Sequence, residues 1–316
     1  MDKPYVSFVV VGRNDNYGHK FLERFQRFLD NLIYLCEKYK LPSELIIVEW
    51  NPPEENKKLY GDLKIKEERS FVEVRFVEVP KKIHNSFENS DKFPLFEYIG
   101  KNAGIRRAKG DFVLVTNPDI IFGEEVIKEI AMKKLDRSTL YRTNRYDIQI
   151  DIPSNMGVKD VESFCEKNWN FCWSVNWGFY YRGFEFFKSL RKFLIRAVAK
   201  LIPRFSYLKY HGGAPGDFML ISKKGWEDFC GFPEIKRHFG MDSYGCVIAV
   251  ANNNKFVSMK GPTYHQFHER DTASRPILDR ERYGHEIKKM LSEHKPIKYN
   301  TSDWGLNEYK LEEKSF

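Results

Sequence analysis

Cysteine is scarce in this chain, and the few present do not pair by spacing. Cys36, Cys165, Cys172, Cys230 and Cys246 are odd in number and form no C-x-x-C. A disulfide framework and a zinc knuckle are thereby excluded, and a reducing compartment is expected. No stretch reaches the roughly 20 apolar residues of a membrane span. The apolar run within MDKPYVSFVVVGRND is too short for a signal peptide and reads as a strand. A cytoplasmic protein is expected, held at most to the inner face of a membrane. There is no basic tail and no nucleic-acid-binding motif, so nucleic acid is not an expected partner despite a net charge of +8. That charge favours acidic lipid or a phosphorylated small molecule. Internal repeats and low-complexity segments are also missing.

What is present is an ordinary globular composition with an aromatic excess. Of 316 residues, 42% are hydrophobic and 30% charged, enough for one large domain or two fused lobes. Aromatics make up 16%; they fill cores, and they also stack on sugar rings and settle at membrane interfaces. The first third alternates strands and helices. Ser7 to Gly12 is a continuous apolar run, as a strand covered on both faces requires, and Leu45 to Trp50, Val74 to Val79 and Phe112 to Thr116 read as further strands. Phe21, Phe25, Phe28, Leu29, Leu32 and Cys36 recur at helical spacing, and a second helix is predicted over Leu95 to Ala108. Short connections between such elements imply a mostly parallel sheet flanked by helices, with ligands beyond the carboxyl ends of the strands. Arg13-Asn14-Asp15, Glu49 and Asn117-Pro118-Asp119 fall at those ends.

The middle reads differently. Residues 151–182 are rich in Trp, Phe, Tyr and Asn without a clear period, and are expected to form a long ordered loop region. In Phe187 to Arg204, Phe187, Leu190, Leu194, Ala197, Val198 and Leu201 fall at helical spacing beside six basic residues. This is the pattern of an amphipathic helix, either packed on a core or lying on an anionic membrane surface. Strands and helices resume with Asp217 to Ser222, around Trp226 and after Met241. The last forty residues read as a helix and an extended tail.

The run Asn102-Ala103-Gly104-Ile105-Arg106-Arg107-Ala108-Lys109-Gly110-Asp111 followed by FVLVTNPD resembles family 2 glycosyltransferases of the GT-A fold. Those enzymes carry an Asn-x-Gly helix, an Ala-Lys-Gly-Asp/Glu turn, an apolar strand and an Asp-x-Asp motif in this order. The resemblance covers most of residues 5–122 and, more loosely, 211–270. It implies an α/β GT-A fold: a nucleotide-sugar-binding half over 1–122, an acceptor and catalytic half over 123–275, and a tail over 276–316. It also implies transfer of a hexosyl or deoxyhexosyl group from a nucleotide-diphosphate sugar to a saccharide or lipid-linked saccharide, with inversion. The metal is Mn2+ or Mg2+, neutralising the diphosphate leaving group. The motif's first Asp is Asn117 here, while Asp119 is retained as the metal-binding carboxylate. His265 and His268 are candidates to complete the metal shell, with Arg270 able to pair with phosphate.

Arg13, Asp15, Glu49, Asn102, Arg106 and Asn117 are the expected donor-side residues. Lys101 and Arg106 do not share a helix face, so at most one approaches phosphate. On the acceptor side stand Gly216 and Asp217, at the end of a glycine-rich segment, and Trp169, Trp173 and Trp177, which suit sugar stacking and core packing equally. Asp242 falls where inverting members place the general base; it is also a sound helix cap. Met241 replaces the acid that precedes that base in the family. With Asn117, this leaves open a GT-A module that binds sugar nucleotide without turnover. A sugar nucleotidyltransferase is the other alternative, although VGRNDNYG lacks the basic glycine-rich loop it needs.

Overall fold

The computed structural model describes residues 3–176, 178–183, 194, 215–234, 241–252, 254–269 and 280–316. The predicted strands of the first third are β1 (Val6–Gly12), β2 (Ser43–Trp50), β3 (Val72–Val79) and β4 (Phe112–Val115). They lie in the order β3-β2-β1-β4 and every pair is parallel, a Rossmann-type half-sheet. The sheet continues through β9 (Met219–Ser222), β6 (Thr139–Ile148), β10 (Lys255–His265) and β5 (Ile120–Phe122). It becomes mixed there: β9 runs antiparallel to β4 and β6, β10 parallel to β6, and β5 antiparallel to β10. The expected α/β layout, a large central sheet flanked by helices, is therefore present.

Period-2 alternation sorts the buried side chains onto two faces. Val6, Phe8 and Val10 join Leu45 and Ile47 under α1 (Phe21–Lys38) and, further along the sheet, α5 (Glu124–Ala131). Val9 and Val11 join Ile46, Val48 and Trp50 on the opposite face. That face is covered by α4 (Glu97–Arg107), α7 (Lys223–Asp228), α8 (Met241–Ala251) and α9 (Arg280–Glu293). One-turn helices α2 (Leu59–Asp62) and α3 (Lys81–His84) follow β2 and β3. Helix α4 sits so close to β1 that a Cβ on Gly104 would lie 2.5 Å from Val9 Cγ1, so the Asn-x-Gly glycine serves helix–sheet packing.

Residues 151–182 are not the long loop the composition suggested. They contain α6 (Val161–Asn168) and a hairpin of β7 (Trp169–Ser174) and β8 (Gly178–Tyr181), which extends the sheet from β6. Aromatics occupy both faces of this hairpin, which hides its alternation from a hydrophobicity pattern; the edge of β6 supplies the template. Trp177, the segment 212–214, Arg270 and, apart from Leu194, the basic stretch 187–204 lie outside the described residues. No helix among the described residues is long and apolar enough to cross a membrane.

The tail does more than extend. Its last strand, β11 (Glu312–Ser315), pairs antiparallel with β3 and closes that edge of the sheet. An ion network anchors it. Glu44 is fully buried and accepts from Ser7 Oγ (2.6 Å), Lys109 N and Arg75 Nη1 (2.6 Å). Arg75 Nη2 then reaches Glu313 at 2.7 Å. Replacing Arg75 by Met strands the Glu44 charge in the core, and breaking a buried pair in this way costs about 3–5 kcal/mol. Urea unfolding of Arg75→Met is expected to show that loss; a change under about 1 kcal/mol would mean that Ser7 and Lys109 satisfy Glu44 alone.

Candidate metal centre

Register brings the candidate ligands together. His265 ends β10 and stands opposite Ile120 of β5 on one side and Asp147 of β6 on the other. Asp119 immediately precedes Ile120, and its carbonyl accepts from Gln266 N at 3.0 Å. Thus Asp119, His265 and Asp147 arrive side by side on three adjacent chain segments. His268 follows three residues beyond the strand end.

Asp119 Oδ2 lies 3.1 Å from His268 Nε2 and 3.5 Å from His265 Nε2. One ligand atom from each of the three side chains falls within 4.8 Å of the others. Two ligands about 2.1 Å from one ion at right angles stand about 3 Å apart, so the spacing suits a shared metal. Two further observations test the fit. Asp119 Oδ1 is buried and has no hydrogen-bond partner, an orphaned acceptor that a cation would satisfy. His268 Nδ1 lies 2.7 Å from the carbonyl of Glu269, so it must donate there and Nε2 is the atom turned toward Asp119. Burial by itself would raise the Asp119 pKa, but the two imidazoles overcome it and hold the carboxyl well below the usual range. The residues fit a divalent cation.

A second carboxylate stands next to the first. Thr116 Oγ1 donates to the carbonyl of Asp217 (2.7 Å), and Asn117 Nδ2 donates to Asp217 Oδ1 (2.6 Å). Arg145 pairs with the other Asp217 oxygen and, through Nε and Nη2, with both oxygens of Asp147 (2.7 and 2.9 Å). Asp147 in turn lies 3.9 Å from His265 Nδ1. Burial opposes ionisation of Asp217, yet Arg145 and His265 draw its pKa below the ordinary value. Asn117 is the middle of this corner. Its oxygen accepts from Lys101 Nζ (2.7 Å), a fully buried ammonium that also bonds Glu97 and the carbonyl of Gly216 (3.2 Å). Of the two helix neighbours considered for this corner, Lys101 is the one that reaches it.

Asp242, in the first turn of α8, accepts from Gly216 N through Oδ2 (3.1 Å) and from Ser243 N through Oδ1 (2.8 Å). Gly216 and Asp217 are consecutive, so Asp242 and Asp119 belong to one chain of polar contacts running through Asp217, Arg145, Asp147 and His265. Tyr98 borders it, and burial, then the Asp242 charge, push its phenol well above its usual pKa.

Other expected residues lie elsewhere. Arg13 Nε donates to the carbonyl of Asn51 (2.8 Å) and Nη1 to Asp15 (2.7 Å), at the carboxyl ends of β1 and β2 as anticipated. Glu49 is buried and accepts from Leu59 N (2.8 Å), capping α2. Asn102 is spent on Phe232 N and O and on Glu234. Arg106 is spent on Asn307 and the carbonyls of Ser302 and Trp304 in the tail. Neither Asn102 nor Arg106 is turned to the corner, because the 232–234 turn holds the first and the tail holds the second. Trp169 packs on Tyr146 (4.8 Å) and Tyr180, whereas Trp173 packs on Phe171 (5.0 Å). Arg145 and Asp147 were not foreseen. Their signal was an Arg-x-Asp pair, same-facing at the end of a strand.

No protein-family model matches the chain, and no curated protein matches it by sequence. In structure it is similar to residues 1–349 of S. aureus TarS, at 12% identity and a TM-score of 0.45, over 92% of this chain and 71% of that one. It is similar too to a longer S. aureus TarS structure, at 13% identity and 0.45, over 92% and 43%. For TarS 1–349 in complex with UDP-GlcNAc the values are 12% and 0.46, over 92% and 66%.

Glu49 makes a pH test possible. Burial, reinforced by Glu78, pushes its carboxyl up to about 7, although Leu59 N pulls the other way. The folded state therefore holds a proton that the unfolded chain releases near 4.3, and stability falls as pH rises from about 4.5 to 7. Glu49→Gln is expected to flatten that slope and to raise the melting midpoint at pH 8 relative to wild type. Parallel wild-type and variant profiles between pH 4.5 and 8 would contradict it.

Proposed function

We propose that this chain is a metal-dependent, inverting glycosyltransferase that moves a sugar from a nucleotide-diphosphate sugar to a saccharide or lipid-linked saccharide acceptor. The observation that carries this reading is the corner after β4. There, a carboxylate with an unbonded buried oxygen faces two imidazoles, at the carboxyl edge of a Rossmann-type half-sheet. The family-like run that leads into this corner supports it independently. Asp119, His265 and His268 would hold Mn2+ or Mg2+, and the two imidazoles favour a transition ion such as Mn2+ over Mg2+. When bound, such an ion neutralises the charge that a departing nucleotide diphosphate develops.

The chain's own groups supply the rest. Arg13 and Asp15, just past the end of β1, would line the nucleoside side. Asp242 would take the proton of the acceptor hydroxyl as the new glycosidic C–O bond forms and the bond to diphosphate breaks. Two backbone N–H groups fix its carboxylate and leave lone pairs open for that proton. The β7–β8 hairpin, with Trp169 and Trp173, is the proposed acceptor wall.

Two variants separate the roles. Asp119→Asn removes the only carboxylate ligand and is expected to weaken Mn2+ binding by more than about tenfold in a calorimetric titration. Asp242→Asn is expected to lower transfer at least about 100-fold across a panel of sugar nucleotides with Mn2+, read by mass spectrometry, while donor binding is kept. Turnover at the wild-type rate in Asp242→Asn would remove it from the role of base.

A further inference from the structure

The three candidate ligands are not held alike. Asp119 is fixed beside β5, and His265 is locked by ladder pairing to both β5 and β6. His268 lies beyond the end of β10, where ladder bonds have stopped. What abuts it is the loop between β1 and α1. The Tyr17 ring meets the His268 ring edge-on at 5.6 Å, and His19 faces Glu269 at 3.4 Å. At Gly18 the backbone passes so near that a Cβ would stand 2.7 Å from His268 Nδ1 and 2.8 Å from the carbonyl of Glu269.

That loop is not a relaxed one. Asn16, Gly18, His19 and Lys20 all have positive φ, between 48° and 64°. Three of these are not glycine, and each sits in a backbone region that L side chains disfavour. Arg24, on the first turns of α1, holds the loop in this form. Its Nη2 donates to the carbonyl of Tyr17 (2.7 Å), and its Nη1 to those of Gly18 (3.2 Å) and His19. Its own carbonyl accepts from Gln266 Nε2 at 2.9 Å, and Gln266 N bonds Asp119 O, so the clamp shares its footing with the metal corner. Arg24 is 5% exposed, makes no ion pair among the described residues, and leaves Nε without a partner. Burying a cation on neutral carbonyls alone is unfavourable. Burial accordingly lowers the Arg24 pKa, with the charge of Asp119 opposing.

We propose that Arg24 is a positioning residue for the metal: by clamping the carbonyls of Tyr17, Gly18 and His19 it seats the loop against His268 and aims that imidazole at the ion held with Asp119 and His265. The inference rests on the metal reading above. It adds a residue on α1 that touches neither the ion nor a substrate.

The test uses the full chain and Mn2+ alone. In the wild type, Mn2+ binding with two coordinated imidazole nitrogens, counted by electron spin-echo modulation, is the starting point; no Mn2+ binding at all would defeat the metal reading itself. Arg24→Met is expected to weaken Mn2+ binding about 10–100-fold, the usual effect of losing an orienting partner. The modulation should fall to one nitrogen, with Arg24→Lys restoring part of both signals. Gly18→Ala, which crowds His268 from the loop side without touching Arg24, is expected to lose the same nitrogen and decides the matter if Arg24→Met does not fold. Wild-type affinity with two nitrogens retained in a folded Arg24→Met, or in Gly18→Ala, would overturn the proposal.

Discussion

Carboxylates crowd one edge of this sheet, and the structure is organised around keeping them there. Asp119, Asp147 and Asp217 come from three segments far apart in the sequence, and each is largely removed from water. Left alone they would repel or take up protons. Arg145 prevents this for two of them, one guanidinium bridging Asp217 and Asp147 with charge-assisted bonds to both. Lys101 and Asn117 extend the same compensation to the start of α8, where Gly216 meets Asp242. Asp119 is the exception. It faces imidazoles and keeps one oxygen unbonded, which is why it is the candidate place for an ion.

Helix α4 couples this edge to the rest of the molecule. Lys101 serves the corner, while Asn102 and Arg106, on the same helix, bind the 232–234 turn and the tail. Arg107 adds bonds to the carbonyls of Gly305, Leu306 and Tyr309. The tail then returns to the far edge through β11, tied by Glu313 to Arg75 and Glu44. Asn102 and Arg106, expected on the donor side, thus bond the scaffold in this structure, and Lys101 bonds Asn117.

Much of the first half was legible because its elements announce themselves locally. Apolar-rich runs become β1 to β4 within a residue or two, and the Asn-Pro-Asp corner lies where a parallel sheet puts its ligands. The second half was harder to read. Strand β5 has three residues, and β7 is short and irregularly paired to β6, whereas β9 is legible as the apolar run ending at Ser222. These strands form because neighbours already present supply the ladder. Pairing of Asp147 with His265 depends on the register between β6 and β10, which includes a shift between Ser258 and Pro262 and is invisible in either strand alone.

Residue order by itself determined the alternating α/β plan, the strand ends and the identity of Asp119, His265 and His268 as a candidate ligand set. The plan and the strand ends follow from apolar periodicity, and the ligand set from the resemblance to family 2 glycosyltransferases. Tertiary structure alone decided which charges meet: that Asp217 and Arg145 join the corner, that Asn117 accepts from Lys101, and that His268 abuts a loop whose carbonyls bond Arg24. Hydrophobic patterning acts over a few residues and can be read along the chain. Charge pairing between segments 72 to 238 residues apart exists only once the sheet has set their register.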